Sequence, residues 1–193
     1  MSSKKKIGIL LFDDVELLDF AGPLEVFSAA DYVLDNQGYD VQTVAVTEQV
    51  RINKCDMIVT PTEPLDTENG YDLFLMPGGF GTRSIVKDES LLKKLNATIE
   101  KSKRVATVCT GSLILAKLGY LKNSQATSHH LALDLLKKLE PSCTILNQRF
   151  IDNGRFIVSA GVSAGIDMAF YIVEQELGKE VSEKVAKYIE WEG

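Results

Sequence analysis

The run Ile7-Gly8-Ile9-Leu10-Leu11-Phe12 has no polar side chain and stops abruptly at Asp13-Asp14. A strand-length segment with no polar face must be covered on both sides, as in a parallel sheet flanked by helices. The rest of the chain agrees with that demand. Residues from about 22 to 34 carry Leu24, Phe27, Ala30, Val33 and Leu34 at helical spacing, and Pro23 suits the first turn of a helix. Residues 39–46 read as a second strand through Val41, Val44 and Val46, and residues 57–60 and 73–76 as short ones. Pro77-Gly78-Gly79-Phe80-Gly81 is a turn, after which Asp88 or Glu89 opens a helix through Ile99.

The second half repeats the alternation. Residues 104–108 form a buried strand, followed at once by a helix over residues 110–118 that stops at Gly119. Residues 126–128 are extended and 131–139 helical. Residues 149–151 and 155–158 flank Asp152-Asn153-Gly154, a hairpin signal. Helices over residues 163–177 and 182–189 close the chain. Strands alternating with helices predict an α/β layered fold with a mainly parallel sheet. A length of 193 residues suits one compact domain over residues 1–193.

Composition excludes several classes. With 45% apolar and 25% charged residues, the chain is neither disordered nor fibrous. Its net charge of −6, without a long basic run, equips it poorly for nucleic acid. No apolar stretch approaches the ~20 residues of a bilayer span, and the apolar run after the basic residues 1–6 is too short for a signal peptide. Cys55, Cys109 and Cys143 are odd in number and include no CxxC pair, against a disulfide framework or structural zinc. A soluble cytoplasmic protein with reduced thiols is expected, with no membrane or nucleic-acid partner.

Three segments carry chemistry. In Val108-Cys109-Thr110-Gly111-Ser112 a thiol sits where a buried strand becomes a helix, and small residues follow it. That is the layout of a nucleophile elbow, whose helix amides would lower the thiol pKa and offer donors to developing negative charge. The plain alternative is a small buried cysteine that only packs. Cys55, between Lys54 and Asp56, and Cys143, at the start of a strand, read as structural or incidental.

Asp19, between Leu17-Leu18 and Phe20-Ala21, follows the carboxyl end of the first strand, the edge where open α/β sheets bind ligands. Apolar surroundings would raise its pKa and suit it to proton transfer; the alternative is a helix N-cap. Asp13, Asp14 and Glu16 read as a solvated turn, and Glu25 lies within the helix. The Gly78-Gly79 pair lets amides approach a ligand, although neither a P-loop nor a dinucleotide fingerprint is present. His129 and His130 are the only histidines, suited either to the surface or to a base beside the thiol. They have no third partner at metal-ligand spacing.

Together, Asp19, Pro77-Gly78-Gly79, Cys109, Ala126-Thr127-Ser128-His129 and the segment Ser159-Ala160-Gly161-Val162-Ser163-Ala164-Gly165-Ile166-Asp167 resemble the ThiJ/PfpI superfamily, over Ile7 to about Leu177. The resemblance implies a flavodoxin-like three-layer sandwich, related to class I glutamine amidotransferases, with a mainly parallel central sheet and a nucleophile elbow. Residues 17–28 and 108–121 look like its isonitrile hydratase branch, segments shared with the sensor domains of AraC-type regulators. Only sixteen residues follow Leu177, which leads us to expect a free-standing enzyme.

The resemblance further implies that Cys109 is the nucleophile and Asp19 its acid partner. Amides of Gly79 and Thr110 would line an anion pocket, with His129 near the thiol, a small-molecule substrate, no cofactor or metal, and a homodimer. His130 stands where isonitrile hydratases usually carry Trp. Thr107 replaces a frequent Gly, which speaks against the peptidase-like branch. The implied reaction is hydration of an isonitrile to an N-substituted formamide through a Cys109 thioimidate. Glyoxalase- or deglycase-like processing of small aldehydes is a second reading, and a ligand- or redox-sensing stress-response module a third.

Overall fold

The computed structural model describes residues 4–192, so residues 1–3 and 193 of the expected domain lie outside it. In chain order the elements are β1 (Lys5–Leu10), α1 (Leu17–Val33), β2 (Tyr39–Ala45), β3 (Val50–Arg51), β4 (Ile58–Val59), β5 (Glu63–Pro64) and β6 (Leu73–Met76). There follow α2 (Thr82–Ile85), α3 (Glu89–Lys101), β7 (Arg104–Thr107), α4 (Ser112–Lys117), β8 (Gln125–Ala126), α5 (Leu133–Leu139) and β9 (Thr144–Ile145). The chain closes with β10 (Phe150–Asp152), β11 (Phe156–Ser159), α6 (Ala164–Leu177) and α7 (Lys179–Tyr188).

Seven strands form the central sheet in the order β10-β11-β7-β6-β1-β2-β5. All neighbours are parallel except β10 and β11, the expected Asn-Gly hairpin. Every residue of β6 is buried, as are the last four of β1, so both faces of the sheet are covered. Helices α1, α6 and α7 pack on one another, and α4 packs against α5 and α2. This is the flavodoxin-like α/β architecture the resemblance implied. Among the described residues, no helix is long and apolar enough to cross a membrane.

The chain leaves β1 toward β2 on one side, whereas β6 lies on its other side. Between β1 and β6 the winding direction reverses, and the loops beyond their carboxyl ends separate to leave a crevice. Val15, just past β1, bridges both to Ile52 beside β3 and to Gly79 beyond β6. Three connections are thereby sewn together at one end of the sheet.

Helix α1 begins at Leu17 rather than near residue 22, and Pro23 sits in its interior. Proline there withholds a hydrogen bond from the carbonyl four residues earlier, which is that of Asp19. The first turn forms regardless because Asp19 and Phe20 are buried in it and Glu16 N–H is held by Gly78 O at 2.9 Å. Tertiary burial overrides the local proline signal. In contrast, α3 follows its sequence closely: Asp88 caps it, accepting from Leu91 N at 3.0 Å.

The junction after β7 tolerates no side chain at Gly111, where a Cβ would fall 2.1 Å from the Met76 carbonyl oxygen. Backbone crowds that position, so neither partner can rotate away. Gly111→Ala is therefore expected to lose about 3 kcal/mol in denaturant unfolding, with an unchanged m-value. A loss below about 0.5 kcal/mol would mean that the β6–β7 edge yields where close packing forbids it.

Candidate active site

Strand β7 ends in the buried Thr107, Val108 is still extended, and Cys109 then turns to φ +58°. A non-glycine residue in this left-handed region costs on the order of 1–3 kcal/mol and persists only where its surroundings fix it. Here they do. Cys109 N donates to Ala160 O at 3.0 Å. Its carbonyl accepts from Ser112 Oγ at 3.1 Å and from Ser128 Oγ at 2.9 Å. The helix does not start directly at Thr110: residues Cys109–Gly111 make a 3-10 turn before the short α4. The reversal is tighter than an α-helical turn allows, and it sets the thiol out of line with the strand.

Asp19, in the first turn of α1, has no solvent exposure. Its Oδ2 accepts from Gly78 N at 3.0 Å, whereas Oδ1 has no nitrogen or oxygen partner. The Cys109 thiol and the Val162 N–H both lie close enough to the carboxyl to lower its pKa, and the Val162 N–H acts on the sulfur in the same way. Val162 itself is a β-branched residue at φ +48°, a second strained position aimed at the same place. Asp19 is thus no N-cap; Glu16 occupies that position.

Burial pushes the Asp19 carboxyl up to about 7, against the lowering by Cys109 and Gly78. The Cys109 thiol is pushed up to about 12, by burial first and then by the Asp19 charge, despite the N–H groups of Thr110 and Val162. The sequence suggested the opposite direction, because helix amides at an elbow favour a thiolate. The structure reverses it: α4 is short, and a second acid is buried beside the sulfur. Two such groups titrate as a pair. The pair loses its first proton near 7 and carries one negative charge up to about 12. Between those values the carboxyl carries the charge and the sulfur keeps the proton, so thiolate forms when that proton passes to Asp19.

Above the sulfur lies a pocket of about 180 Å³, to which Gly79, Thr110 and His129 all contribute, as do Phe80 and Arg83. The Thr110 amide is directed at the thiol. The Gly79 amide is engaged differently from what the resemblance implied, since it donates to Thr110 Oγ1 at 2.9 Å. Gly79 is needed there for space: at φ +134°, a Cβ would lie 2.2 Å from Asp14 O. The donors directed at sulfur are accordingly the amides of Thr110 and Val162.

His129 Nδ1 accepts from Leu131 N at 3.3 Å. Its pKa is lowered by burial and by neighbouring His130, so the ring is neutral and its proton resides on Nε2. His130 is exposed and tilted against it, with ring centroids 4.3 Å apart. Glu16 does not belong to a solvated turn as the sequence suggested; it lines the pocket and holds Lys54 Nζ at 2.8 Å. Lys54, Phe80, Arg83 and Leu131 are not singled out by the sequence, because its pattern does not show which side chains turn toward the thiol. Cys55 is exposed and Cys143 is buried elsewhere; neither lines this pocket. Among the described residues, no three His, Cys, Asp or Glu side chains gather as metal ligands.

Residues 5–175 match the DJ-1/PfpI family. The isonitrile hydratase of Pseudomonas putida is 28% identical over 188 residues, covering 96% of this chain and 78% of that protein. Drosophila melanogaster protein DJ-1alpha is 29% identical over 177 residues, covering 89% and 80%. The HTH-type transcriptional regulator GbdR of Pseudomonas aeruginosa is 26% identical, and there the chain spans about half (51%) of the relative's length. Among solved structures, a ThiJ/PfpI family protein from Pseudomonas syringae superposes with a TM-score of 0.87 at 25% identity, covering 99% of this chain and 76% of that one.

Two measurements check the shared proton. Alkylation of Cys109 by iodoacetamide should climb with pH toward a midpoint near 12. In Asp19→Asn the midpoint should move downward, because the carboxylate charge no longer opposes the thiolate while burial still does. An unmoved midpoint would dissolve the pair. Stability gives the second. Below about pH 4 the carboxyl holds its proton in folded and unfolded chains alike. Between there and about 7 only the folded chain keeps it, so this carboxyl makes stability fall by a few kcal/mol as pH rises to about 7. Asp19→Asn cannot titrate and should gain on wild type by that amount between about pH 4 and pH 8. Parallel stability profiles would contradict a raised carboxyl pKa.

Proposed function

Because this chain belongs to the DJ-1/PfpI family, we propose that it is a cysteine-dependent enzyme that hydrates a small isonitrile to an N-substituted formamide. The observation that carries the reading is the fully buried Asp19 carboxyl beside Cys109, with Oδ1 free of any nitrogen or oxygen partner. Nucleophilic attack on the terminal carbon of an isonitrile needs a sulfur anion and, at once, a proton for that same carbon. A pair that holds one proton and one negative charge supplies both.

The steps balance with water as the only co-reactant. The Cys109 sulfur attacks the isonitrile carbon while Asp19 gives that carbon its proton, leaving a thioimidate, R–N=CH–S, and an Asp19 carboxylate. Water then adds across the C=N bond: the carboxylate takes its proton and passes it to nitrogen, and hydroxyl stays on carbon. Collapse of this tetrahedral adduct breaks the C–S bond, and the hydroxyl proton returns to Asp19. N-substituted formamide leaves, and the singly charged pair is restored. The amides of Thr110 and Val162 hold the sulfur while it carries charge.

A glyoxalase-like reaction is favoured less by the same geometry. It requires a base to move a proton between carbon and oxygen. His129 has its Nδ1 lone pair occupied by Leu131 N–H, and its Nε2 carries the proton, so the ring is a donor. Shaping the pocket is the role that remains to it in the hydratase reading.

Turnover separates these chemistries. With an alkyl isonitrile, formamide release should disappear in Cys109→Ala and fall at least ~100-fold in Asp19→Asn. His129→Gln should cost under ~10-fold. On methylglyoxal the wild type should release little lactate. Lactate formation that depends more on His129 than on Asp19 would transfer the assignment to aldehyde processing. No turnover of either compound would favour a sensor.

A further inference from the structure

Arg83 differs from every other arginine of the chain, which has five. Arg51, Arg104 and Arg149 hold Asp56, Asp152 and Asp167. Arg155 donates to the carbonyls of Ile99, Glu100 and Ser102. Arg83 has no carboxylate partner among the described residues, and its hydrogen bonding there is one long contact, from Nη1 to Gly79 O at 3.4 Å. The side chain is nevertheless half-buried. Its guanidinium lies over the Phe80 ring, 5.2 Å from the centroid, and both residues line the pocket that contains Cys109.

An uncommitted guanidinium in that position is unfavourable for the free protein, since it is partly desolvated without a counter-charge. Stacking on Phe80 orients its planar fork of donors, a shape matched to a carboxylate. The other cation on the wall, Lys54, is already neutralised by Glu16 at 2.8 Å. The reacting pair, meanwhile, carries a negative charge that would repel an anionic substrate. Arg83 is the group in the pocket that offsets that repulsion and holds the anion at a distance from sulfur.

We propose that Arg83 anchors a carboxylate on the substrate, so that the pocket selects small isonitriles bearing a carboxylate over neutral ones. This rests on the hydratase reading for the reacting end of the molecule, and on Arg83 and Phe80 alone for the other end. The bound substrate spans from the guanidinium to the sulfur, with its isonitrile carbon directed at Cys109.

The test compares isocyanoacetate with its methyl ester, and the corresponding products, N-formylglycine and its methyl ester. Wild type should turn over isocyanoacetate with kcat/KM about 30-fold above the ester, chiefly through a lower KM. Arg83→Gln should reduce that ratio to near one, and Arg83→Lys should restore part of it. Binding is read separately, as protection of Cys109 from iodoacetamide. N-formylglycine should protect wild type about 30-fold more tightly than its ester, and the difference should vanish in Arg83→Gln. Equal ratios in wild type and Arg83→Gln, with formamide still formed, overturn the anion site and leave the hydratase reading standing. Arg83-dependent protection without formamide from either compound overturns the hydratase reading and leaves the anion site.

Discussion

Cys109 can hold a left-handed backbone because its peptide is tied on both sides. Its N–H is bound by Ala160 at the end of β11, and its carbonyl by two serine hydroxyls, one on α4 and one beyond β8. Each tie comes from a different part of the chain, so the elbow exists only when the parallel sheet has assembled. Release of any of them would let the residue relax toward the extended or helical backbone that an L-residue prefers. The thiol would then leave Asp19, and the proton between them would have no shared place. Sheet assembly, strained turn and acid–thiol pair form one dependency.

Placement of the carboxyl follows the same logic from the other side. Asp19 is buried because α1 starts early, despite Pro23, and because the β6 loop lays Gly78 N–H against its Oδ2. Oδ1 is left without a nitrogen or oxygen partner, and burial of a carboxyl in that condition raises its pKa. The arrangement trades stability near neutral pH for a proton held beside sulfur. Unsatisfied buried polar atoms gather at reactive sites for this reason, and Asp19 Oδ1 is one of two in the described residues.

Membership of the DJ-1/PfpI family fixes the architecture and leaves the chemistry open, because relatives named as a hydratase, as DJ-1 proteins and as transcriptional regulators share it. Function lives in the pocket rather than in the fold. In this chain the pocket holds His129 with its Nδ1 engaged by backbone, an ion pair of Glu16 with Lys54, and Arg83 stacked on Phe80 without a carboxylate partner among the described residues.

The sequence by itself determined the layering and singled out Cys109 and Asp19, which the structure brings together. Continuous apolar runs dictate covered strands, Asn153-Gly154 dictates the hairpin, and a thiol at a strand end followed by small residues is visible without any fold. Local pattern failed where long-range contacts outweighed it. Pro23 pointed to a later start of α1, the two-residue strands β3 and β5 had no periodicity to read, and Glu16 looked like solvated polarity. Only the tertiary structure decided the direction of the Cys109 pKa, the occupation of the Gly79 amide and the presence of Arg83 in the pocket. Each of those depends on what lies within a few ångströms through space. A linear pattern carries the period of an element, whereas desolvation and charge depend on neighbours brought from distant turns of the chain.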